Sequence, residues 1–487
     1  GQTAIYGIPS IVGRLINFLL VFLFTEHFSP EIFAAHTEFY AYAAFFLVIL
    51  PHGMETAYFN FLRKGKEQSA VFSTAFLSVV VLATLFLIAV LVASQGIAEF
   101  MNYPEHPEYV RWFGFILFFD VISSIPFAQL RHMQKAKFFA FVRSFGIFLN
   151  VALNVLFIVY FPKWFQADTH WFYQAELGIG YVFIANLVAS AVMFIMLMPH
   201  SISSIKTFDY SLWKQMMRYA APLILVGLAG IVNETFDRAA MDKLLLTDNP
   251  KFDIGVYGAF YKLSIIITIF VQAFRYAAEP FFFERAKEAD AKVVYARVMN
   301  YFVWVCLFIA LLTILFLDLI APLAIRQAAY FEHPQALAIV PILLMANVFL
   351  GILYNLSIWY KVEEKTKLGA WISMGGAAVT ILLLLIFIPT HGIIAAAWTT
   401  LLVYTGMSVF SYWYGQKYYP VPYKLGSIAM MLGAAIGLFV LDRLIFGSAL
   451  EQMGEISHNL KYFGIKGLFV ICFTGIAYSV VIGPKKA

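Results

Sequence analysis

The chain has 487 residues, of which 62% are hydrophobic and 13% are charged, with a net charge of only +5. Soluble proteins average roughly 45–50% apolar and about 25% charged residues, and a single soluble core stops growing near about 250–300 residues. The composition therefore excludes a soluble enzyme, a disordered chain and a nucleic-acid-binding protein, and it requires lipid as the solvent.

Apolar segments follow one another along the whole chain. Their centres lie near residues 15, 48, 82, 120, 149, 186, 226, 268, 306, 348, 379, 402, 435 and 472. Each segment is long enough to cross a hydrocarbon core of about 30 Å as a helix, and each stays apolar for longer than a barrel strand of about ten residues. The pattern predicts an all-α polytopic membrane protein with about fourteen transmembrane helices.

The connections between these segments differ in charge. Lys and Arg are about twice as frequent on the side that carries Arg63, Lys64 and Arg131 as on the opposite side, to which we assign Arg443 and Lys466. Basic loops stay in the cytoplasm, so the bias predicts that both termini are cytoplasmic. No connection is long enough for a soluble domain, and the function is therefore expected inside the membrane.

Two segments six spans apart resemble each other. Glu55 is followed by aromatic residues and then Arg63, and Glu279 is followed by aromatic residues and then Arg285. Such a parallel repeat predicts two six-helix lobes with a substrate cavity between them. We expect an N-lobe at residues 1–205, a C-lobe at residues 206–420, and a pair of helices outside the repeat at residues 421–487.

Ionisable residues occur inside the predicted spans. A charge at the bilayer centre costs about 2.5–3.5 kcal/mol on insertion scales, so such residues face a polar interior or a partner. The embedded charges are Arg14, Glu55, Asp120 and Arg143 in the first lobe, and Glu234, Asp237, Arg238, Lys262, Arg275 and Glu279 in the second. Their number indicates a polar interior and argues against a simple anchor.

Helical spacing places several polar residues on shared faces. The groups are Glu234 with Asp237 and Arg238, Arg275 with Glu279, and Arg143 with Asn150 and Asn154. The spacing allows Glu234 to pair with Arg238 and Glu279 with Arg275. Two interpretations stay open for these charges: they line a transport cavity, or they only neutralise each other and cap helix ends. Arg14 has no acidic neighbour at helical spacing, which favours a cavity role.

Signatures of enzymes are missing from the sequence. It contains no HExxH, no G-x-S-x-G and no Walker loop, and its two cysteines have neither metal-binding nor redox spacing. We therefore predict no enzymatic activity, no cofactor and no structural metal. Any transport must then run on an ion gradient or the membrane potential rather than on ATP, with Na⁺ or H⁺ as the candidate coupling ions. Among the histidines, only His52 has a possible role in the interior, and packing is the favoured interpretation for it.

Four segments resemble a known family in the expected order. They are Gln2-Thr-Ala-Ile-Tyr-Gly7 with Arg14 and Asn17, Gly53-Met-Glu55-Thr-Ala-Tyr-Phe-Asn60, Asn233-Glu-Thr-Phe-Asp237-Arg238, and Ile388-Pro389-Thr-His-Gly392. The sequence resembles the Wzx-type polysaccharide flippases of the multidrug/oligosaccharidyl-lipid/polysaccharide (MOP) superfamily over nearly its whole length.

This resemblance implies a V of two six-helix bundles plus two C-terminal helices. It implies that the protein carries an undecaprenyl-diphosphate-linked oligosaccharide across the bacterial inner membrane, as a monomer among membrane lipids and beside polysaccharide polymerase machinery. The candidate substrate-binding residues are Arg14, Arg143, Arg275, Lys262, Asn150 and Asn154. The candidate coupling or gating residues are Glu55, Asp120, Glu234, Asp237, Arg238 and Glu279.

Three alternatives stay open. Arg14 matches the first-helix arginine of the lipid II flippase, but that protein's further arginines have no counterpart after Arg14 or before Gly53. A multidrug exporter of the same superfamily would hold organic cations in an acidic cavity, whereas the embedded charges here are five basic and five acidic. A membrane scaffold protein would pair all ten charges and leave no cavity.

Overall fold

A computed structural model describes residues 2–165, 173–447 and 460–481. The side chains of residues 2–11, 14, 17, 460 and 461 are outside this description. The predicted anchor Arg14 therefore has a described backbone, in the first helix, but no described side chain.

Long helices dominate the described residues, and we number them α1 to α14. Their bounds are α1 Gln2–His27, α2 Pro30–Arg63, α3 Gln68–Val92, α4 Pro107–His132, α5 Ala136–Trp164, α6 Gly180–Ser204, α7 Tyr210–Leu244, α8 Pro250–Arg285, α9 Ala291–Leu315, α10 Ile339–Val362, α11 Thr366–His391, α12 Ile393–Tyr418, α13 Leu425–Phe446 and α14 Leu460–Val481.

The length and composition of these helices suit a membrane. Within the described part of the chain, the thirteen helices α2 to α14 are long and apolar enough to span it, and α1 contributes the further apolar stretch Phe18–His27. Each predicted segment centre lies in its own helix. In lipid a backbone must satisfy its own hydrogen bonds, which a helix does within one segment. The predicted all-α polytopic fold is confirmed.

A short break divides α2 just before Glu55. His52 and Gly53 have φ angles of 36° and 71°, in the left-handed region that glycine enters at least cost. The buried His52 ring contacts the Leu50 carbonyl oxygen at 2.7 Å through Nδ1 and the Ser78 hydroxyl at 2.8 Å through Nε2. The contacts of His52 thus serve the packing of this break, as the favoured interpretation proposed.

The chain forms two compact units. Unit 1 comprises residues 1–23 and 32–242, and unit 2 comprises residues 24–31 and 243–487. Unit 1 thus contains most of α1 and α2 together with α3 to α7, and unit 2 contains α8 to α14. The division into two lobes and a terminal helix pair stays a prediction.

The two units repeat one packing pattern. In unit 1, α4 packs against α3 and α6, and α6 packs against α5; in unit 2, α10 packs against α9 and α12, and α12 against α11. The turns before α5 and α11 each contain one left-handed residue, Gln134 with φ 56° and Glu364 with φ 55°. The same helix neighbours and the same turn recur six helices apart, which supports the parallel repeat.

A fully buried charge cluster joins the last two helices to α9. The Lys466 ammonium on α14 lies 3.1 Å from the Asp318 carboxylate, which follows α9, and 3.6 Å from the Asp442 carboxylate on α13. It also donates a hydrogen bond to the Leu315 carbonyl oxygen. The assignment of Arg443 and Lys466 to the connections was therefore wrong, because Arg443 lies in the last turn of α13 and Lys466 lies in the second turn of α14.

Removing the central cation of this cluster should destabilise the protein strongly. Lys466→Met leaves the carboxylates of Asp318 and Asp442 buried without their shared partner, and breaking a buried pair in this way costs about 3–5 kcal/mol. We expect a clear loss of protein from the membrane, measured by quantitative blotting. Replacing Lys466, Asp318 and Asp442 together by Leu should restore it, and an equal loss in the triple variant would contradict this account.

Candidate functional site

Helix α5 carries one polar face and one apolar face. The bulky Phe141 and Phe148 are 57% and 68% exposed, as expected of side chains that contact lipid. Arg143, Asn150 and Asn154 lie about half a helical turn away from them, on the opposite face. The polar face of α5 is therefore turned away from its exposed phenylalanines. The predicted stripe of one arginine and two asparagines is thus brought together as expected.

Arg143 lies among charged groups from neighbouring helices. Its guanidinium carbon is 4.1 Å from the centre of the Phe127 ring, and the group interacts electrostatically with Asp120, Arg131 and Glu55. Despite these neighbours, the Arg143 side chain is exposed. Two bases and two acids therefore interact in unit 1 with no net charge, and Arg143 is the member on the polar face of α5.

The two asparagines of α5 are hydrogen-bonded to each other. The Asn154 amide donates hydrogen bonds to the Asn150 side-chain oxygen at 2.7 Å and to the Asn150 carbonyl oxygen at 2.8 Å. The side-chain oxygen of Asn154 is buried and accepts no hydrogen bond within the described residues. Asn150 is half-buried, so it is the asparagine that a ligand can reach more directly.

Each unit contains an ion pair between equivalent helices. In unit 1, Glu55 on α2 pairs with Arg131 at the end of α4. In unit 2, Glu279 on α8 pairs with Lys361 at the end of α10, with 2.7 Å between the charged atoms. The predicted partner of Glu279 was Arg275, whose guanidinium instead lies 5.1 Å from the centre of the Tyr354 ring.

Sequence analysis missed Arg131 and Lys361 as site residues because it counted them among the loop cations. A signal was nevertheless present. Two triplets of basic residues have the same spacing, Arg131, Lys135 and Lys137 in the first unit and Lys361, Lys365 and Lys367 in the second. Each triplet spans a turn between two helices, from α4 to α5 and from α10 to α11. A search for repeated loop patterns, in addition to repeated spans, would have identified both cations.

We predict that the Glu55–Arg131 pair acts through its charges. Both side chains are more than a third exposed, so Glu55→Gln or Arg131→Gln should cost only about 0.2–1 kcal/mol and lower transport a few-fold without unfolding the protein. Exchanging the charges, Glu55→Arg with Arg131→Glu, should restore most of the transport rate. The measurement is initial transport rate per molecule of membrane-inserted protein.

Glu67 and Lys206 provide a matched control pair. They lie 2.9 Å apart and are more exposed than Glu55 and Arg131, and hydrogen bonds from Ser69 and Lys206 lower the pKa of Glu67. The same neutralisations at this pair should leave transport unchanged. Equal losses at both pairs, or a charge exchange that restores nothing, would exclude a specific role for the Glu55–Arg131 pair.

The acidic cluster of α7 differs in detail from its prediction. Asp237 is 5% exposed, and its carboxylate lies 3.2 Å from the Arg238 Nε atom. The Arg238 guanidinium also donates to the main-chain carbonyl oxygen of Glu234, and not to its carboxylate. The Glu234 side chain is exposed. The buried acid of this cluster is therefore Asp237.

The remaining candidates, Lys262 and Arg275, both lie within the transmembrane helix α8, as predicted from the sequence. Lys262 is half-buried near the middle of α8, and Arg275 is half-buried further along the same helix. Among the side chains that the structure describes, no group of three or more His, Cys, Asp or Glu residues can hold a metal ion.

Comparison with known proteins identifies the fold. No protein-family model matches the chain, and no curated protein matches it. The lipid II flippase MurJ in an inward closed conformation matches with a TM-score of 0.73 and 14% identity, over 98% of this chain and 99% of that protein. An inward-facing multidrug resistance MATE family transporter matches with a TM-score of 0.68 and 13% identity, over 86% of this chain and 98% of that protein. The chain therefore shares the fold of these two transporters.

Proposed function

We propose that this protein is a flippase that moves an undecaprenyl-diphosphate-linked oligosaccharide across a bacterial inner membrane by alternating access. The observation that carries the proposal is Arg143, an exposed arginine on the polar face of α5, opposite the exposed Phe141 and Phe148. A charged side chain within a span is tolerated where it faces water or a partner. Its position and chemistry suit an anionic group that crosses the membrane in a polar environment.

Arginine suits a diphosphate for geometric reasons. Its planar guanidinium presents paired donors to phosphate oxygens and stays charged in any environment. Arg143 lies over the Phe127 ring and Arg275 lies near the Tyr354 ring. A cation–π contact uses the charge of the guanidinium, and its N–H groups remain donors for phosphate oxygens. We propose that these two residues, with Arg14, Lys262, Asn150 and Asn154, bind the substrate.

The driving force is proposed to come from a Na⁺ or H⁺ gradient. Carboxylates in a membrane can bind a cation or a proton and thereby reset an empty carrier. The candidates are Glu55, Asp120, Glu234, Asp237 and Glu279, with Arg238 as the neighbouring base. Among them, the burial of Asp237 and its contact with Arg238 favour it as the primary site.

Lipid II transport is the second candidate function. The high TM-score and nearly complete coverage of the lipid II flippase favour it. Against it, the positions after Arg14 begin with Leu15 and Ile16, and those before Gly53 are Pro51 and His52. The further arginines of a lipid II flippase are expected at these positions. A multidrug exporter is the third candidate, since such a transporter shares the fold.

Transport in reconstituted vesicles separates these candidates. Purified protein in proteoliposomes is given three substrates in turn: an undecaprenyl-diphosphate oligosaccharide, lipid II, and a fluorescent organic cation. We expect gradient-dependent flipping of the first, read as its accessibility to an external glycosidase. Flipping of lipid II alone, or export of the cation alone, would overturn the proposal. In cells, deletion should cause one lipid-linked glycan to accumulate in the inner leaflet.

The cellular setting follows from the same proposal. We propose a monomer in the inner membrane, with both termini in the cytoplasm because the basic connections lie on that side. The flipped oligosaccharide would pass to polysaccharide polymerase machinery on the outer face. Labelling of single cysteines placed in the loops tests the orientation directly.

A further inference from the structure

An apolar groove runs between α11 and α12 within unit 2. It has a volume of about 520 Å³ and is lined only by apolar residues, glycines and Tyr414. Trp371 and Phe410, which lie on opposite walls, are 68% and 56% exposed. Both walls are helices long and apolar enough to span a membrane, so the groove lies at membrane depth. The groove therefore presents a concave surface to chains in the bilayer.

Glycines keep this groove open. A Cβ atom added at Gly375 or Gly406, which both line the groove, would meet no atom within 4 Å. Close packing therefore does not explain these two glycines. The neighbouring Gly376 is different, because a Cβ there would lie 2.4 Å from the Met407 sulfur. The space beside Gly375 and Gly406 is consequently available to a ligand.

Two lysines stand at one end of the groove. Lys365 immediately precedes α11 and Lys417 lies in the last turn of α12, so both stand at the end of the groove that is lined by Leu368 and Tyr414. Both ammonium groups lie over the Tyr418 ring, at 3.5 Å and 5.8 Å from its centre. Within the described residues, neither lysine forms an ion pair. Two like charges over one ring repel each other, and an anion bound there would relieve that repulsion.

We infer that this groove binds the polyprenyl chain of a lipid-linked substrate in a loading step, in which Lys365 and Lys417 hold the phosphate of that lipid before it reaches Arg143. A single groove accommodates a single chain, whereas a membrane phospholipid has two. Two lysines match the charge of a terminal phosphate or diphosphate better than that of one phosphodiester. The identity of the lipid rests on the proposed function, and the groove and its charges are independent of it.

Binding of undecaprenyl phosphate tests the inference directly. The purified full-length protein is titrated with this lipid and observed by native mass spectrometry. Gly375→Leu with Gly406→Leu places side chains in the groove at positions where an added Cβ meets no atom within 4 Å, and Lys365→Gln with Lys417→Gln removes its charges. Each pair of substitutions should weaken binding about tenfold or more, because the first removes the space for the chain and the second removes the attraction for its phosphate.

Matched controls come from the same unit. Gly437→Leu on α13 adds a side chain at another open position, and Lys292→Gln removes a lysine 4.6 Å from the centre of the Tyr419 ring. Both should leave binding unchanged. Equal weakening in the controls, no binding to the unaltered protein, or equally tight binding of phosphatidylglycerol at the groove would overturn the inference.

Transport separates this inference from the proposed function. If the groove-filling variant loses undecaprenyl phosphate and flips the oligosaccharide more slowly, both stand. If it loses the lipid while the unaltered protein flips no lipid-linked oligosaccharide, the groove stands and the proposed function fails. If it flips at the unaltered rate, the proposed function stands and the groove has no part in it.

Discussion

Arg143→Ala is expected to abolish flipping of the lipid-linked oligosaccharide while the protein stays in the membrane at nearly its normal abundance. The side chain is exposed on the polar face of α5, so its removal leaves no large cavity. What is lost is a paired donor for phosphate oxygens. The measurement is glycosidase accessibility of the substrate in proteoliposomes, normalised to inserted protein. Arg143→Lys should be partly active, because it keeps the charge and loses the planar fork.

Arg111 is the matched control for this experiment. It also belongs to unit 1, and its Nε atom donates a hydrogen bond to the Ser94 hydroxyl at 3.0 Å, away from the charged group around Arg143. Arg111→Ala should transport normally. Sequence analysis predicts for Arg14→Ala the same loss as for Arg143→Ala. Normal transport by Arg143→Ala would place the phosphate anchor elsewhere.

Asp237→Asn is expected to uncouple transport from the ion gradient. The substitution keeps the volume of a buried side chain and removes the charge that a cation or proton would neutralise. The variant should flip substrate down its own gradient at a residual rate that no longer responds to an imposed pH or Na⁺ gradient. Proteoliposomes with each gradient imposed separately provide the measurement and also identify the coupling ion.

A gate at the end of α7 is the competing explanation for this residue. In that case Asp237→Asn changes the rate but keeps its full dependence on the gradient. Glu67→Gln serves as the control, because Glu67 is exposed, pairs with Lys206 and is not a candidate coupling residue. It should retain gradient dependence under either explanation.

The fold was predictable from the sequence because lipid leaves so few solutions. An apolar run of about 20 residues in a bilayer becomes a helix, since no water satisfies its backbone. The centre of each predicted span accordingly lies inside a helix, and the polar stripe of α5 followed from a period of 3.6 residues. Composition and periodicity were sufficient for both results.

Partners between helices were not predictable in the same way. Spacing along one helix predicted that Arg275 pairs with Glu279. Packing of α8 against α10 instead brings Lys361 into contact with Glu279. Arg131 and Lys466 were counted as loop cations because both lie near helix ends. At such positions the sequence does not show whether a side chain points to the aqueous phase or to a neighbouring helix. Such contacts depend on the rotation of one helix against another.

Insertion of α14 into the membrane during synthesis is opposed by the charge of Lys466. Lys466 would cost about 2.5–3.5 kcal/mol to place in lipid alone, and its fully buried site exists only when Asp318 and Asp442 are already in position. Both acids precede Lys466 in the sequence, so α9 and α13 leave the ribosome first. The order of residues is therefore also a workable order of insertion, in which α14 enters the membrane against a surface that already carries its counter-charges.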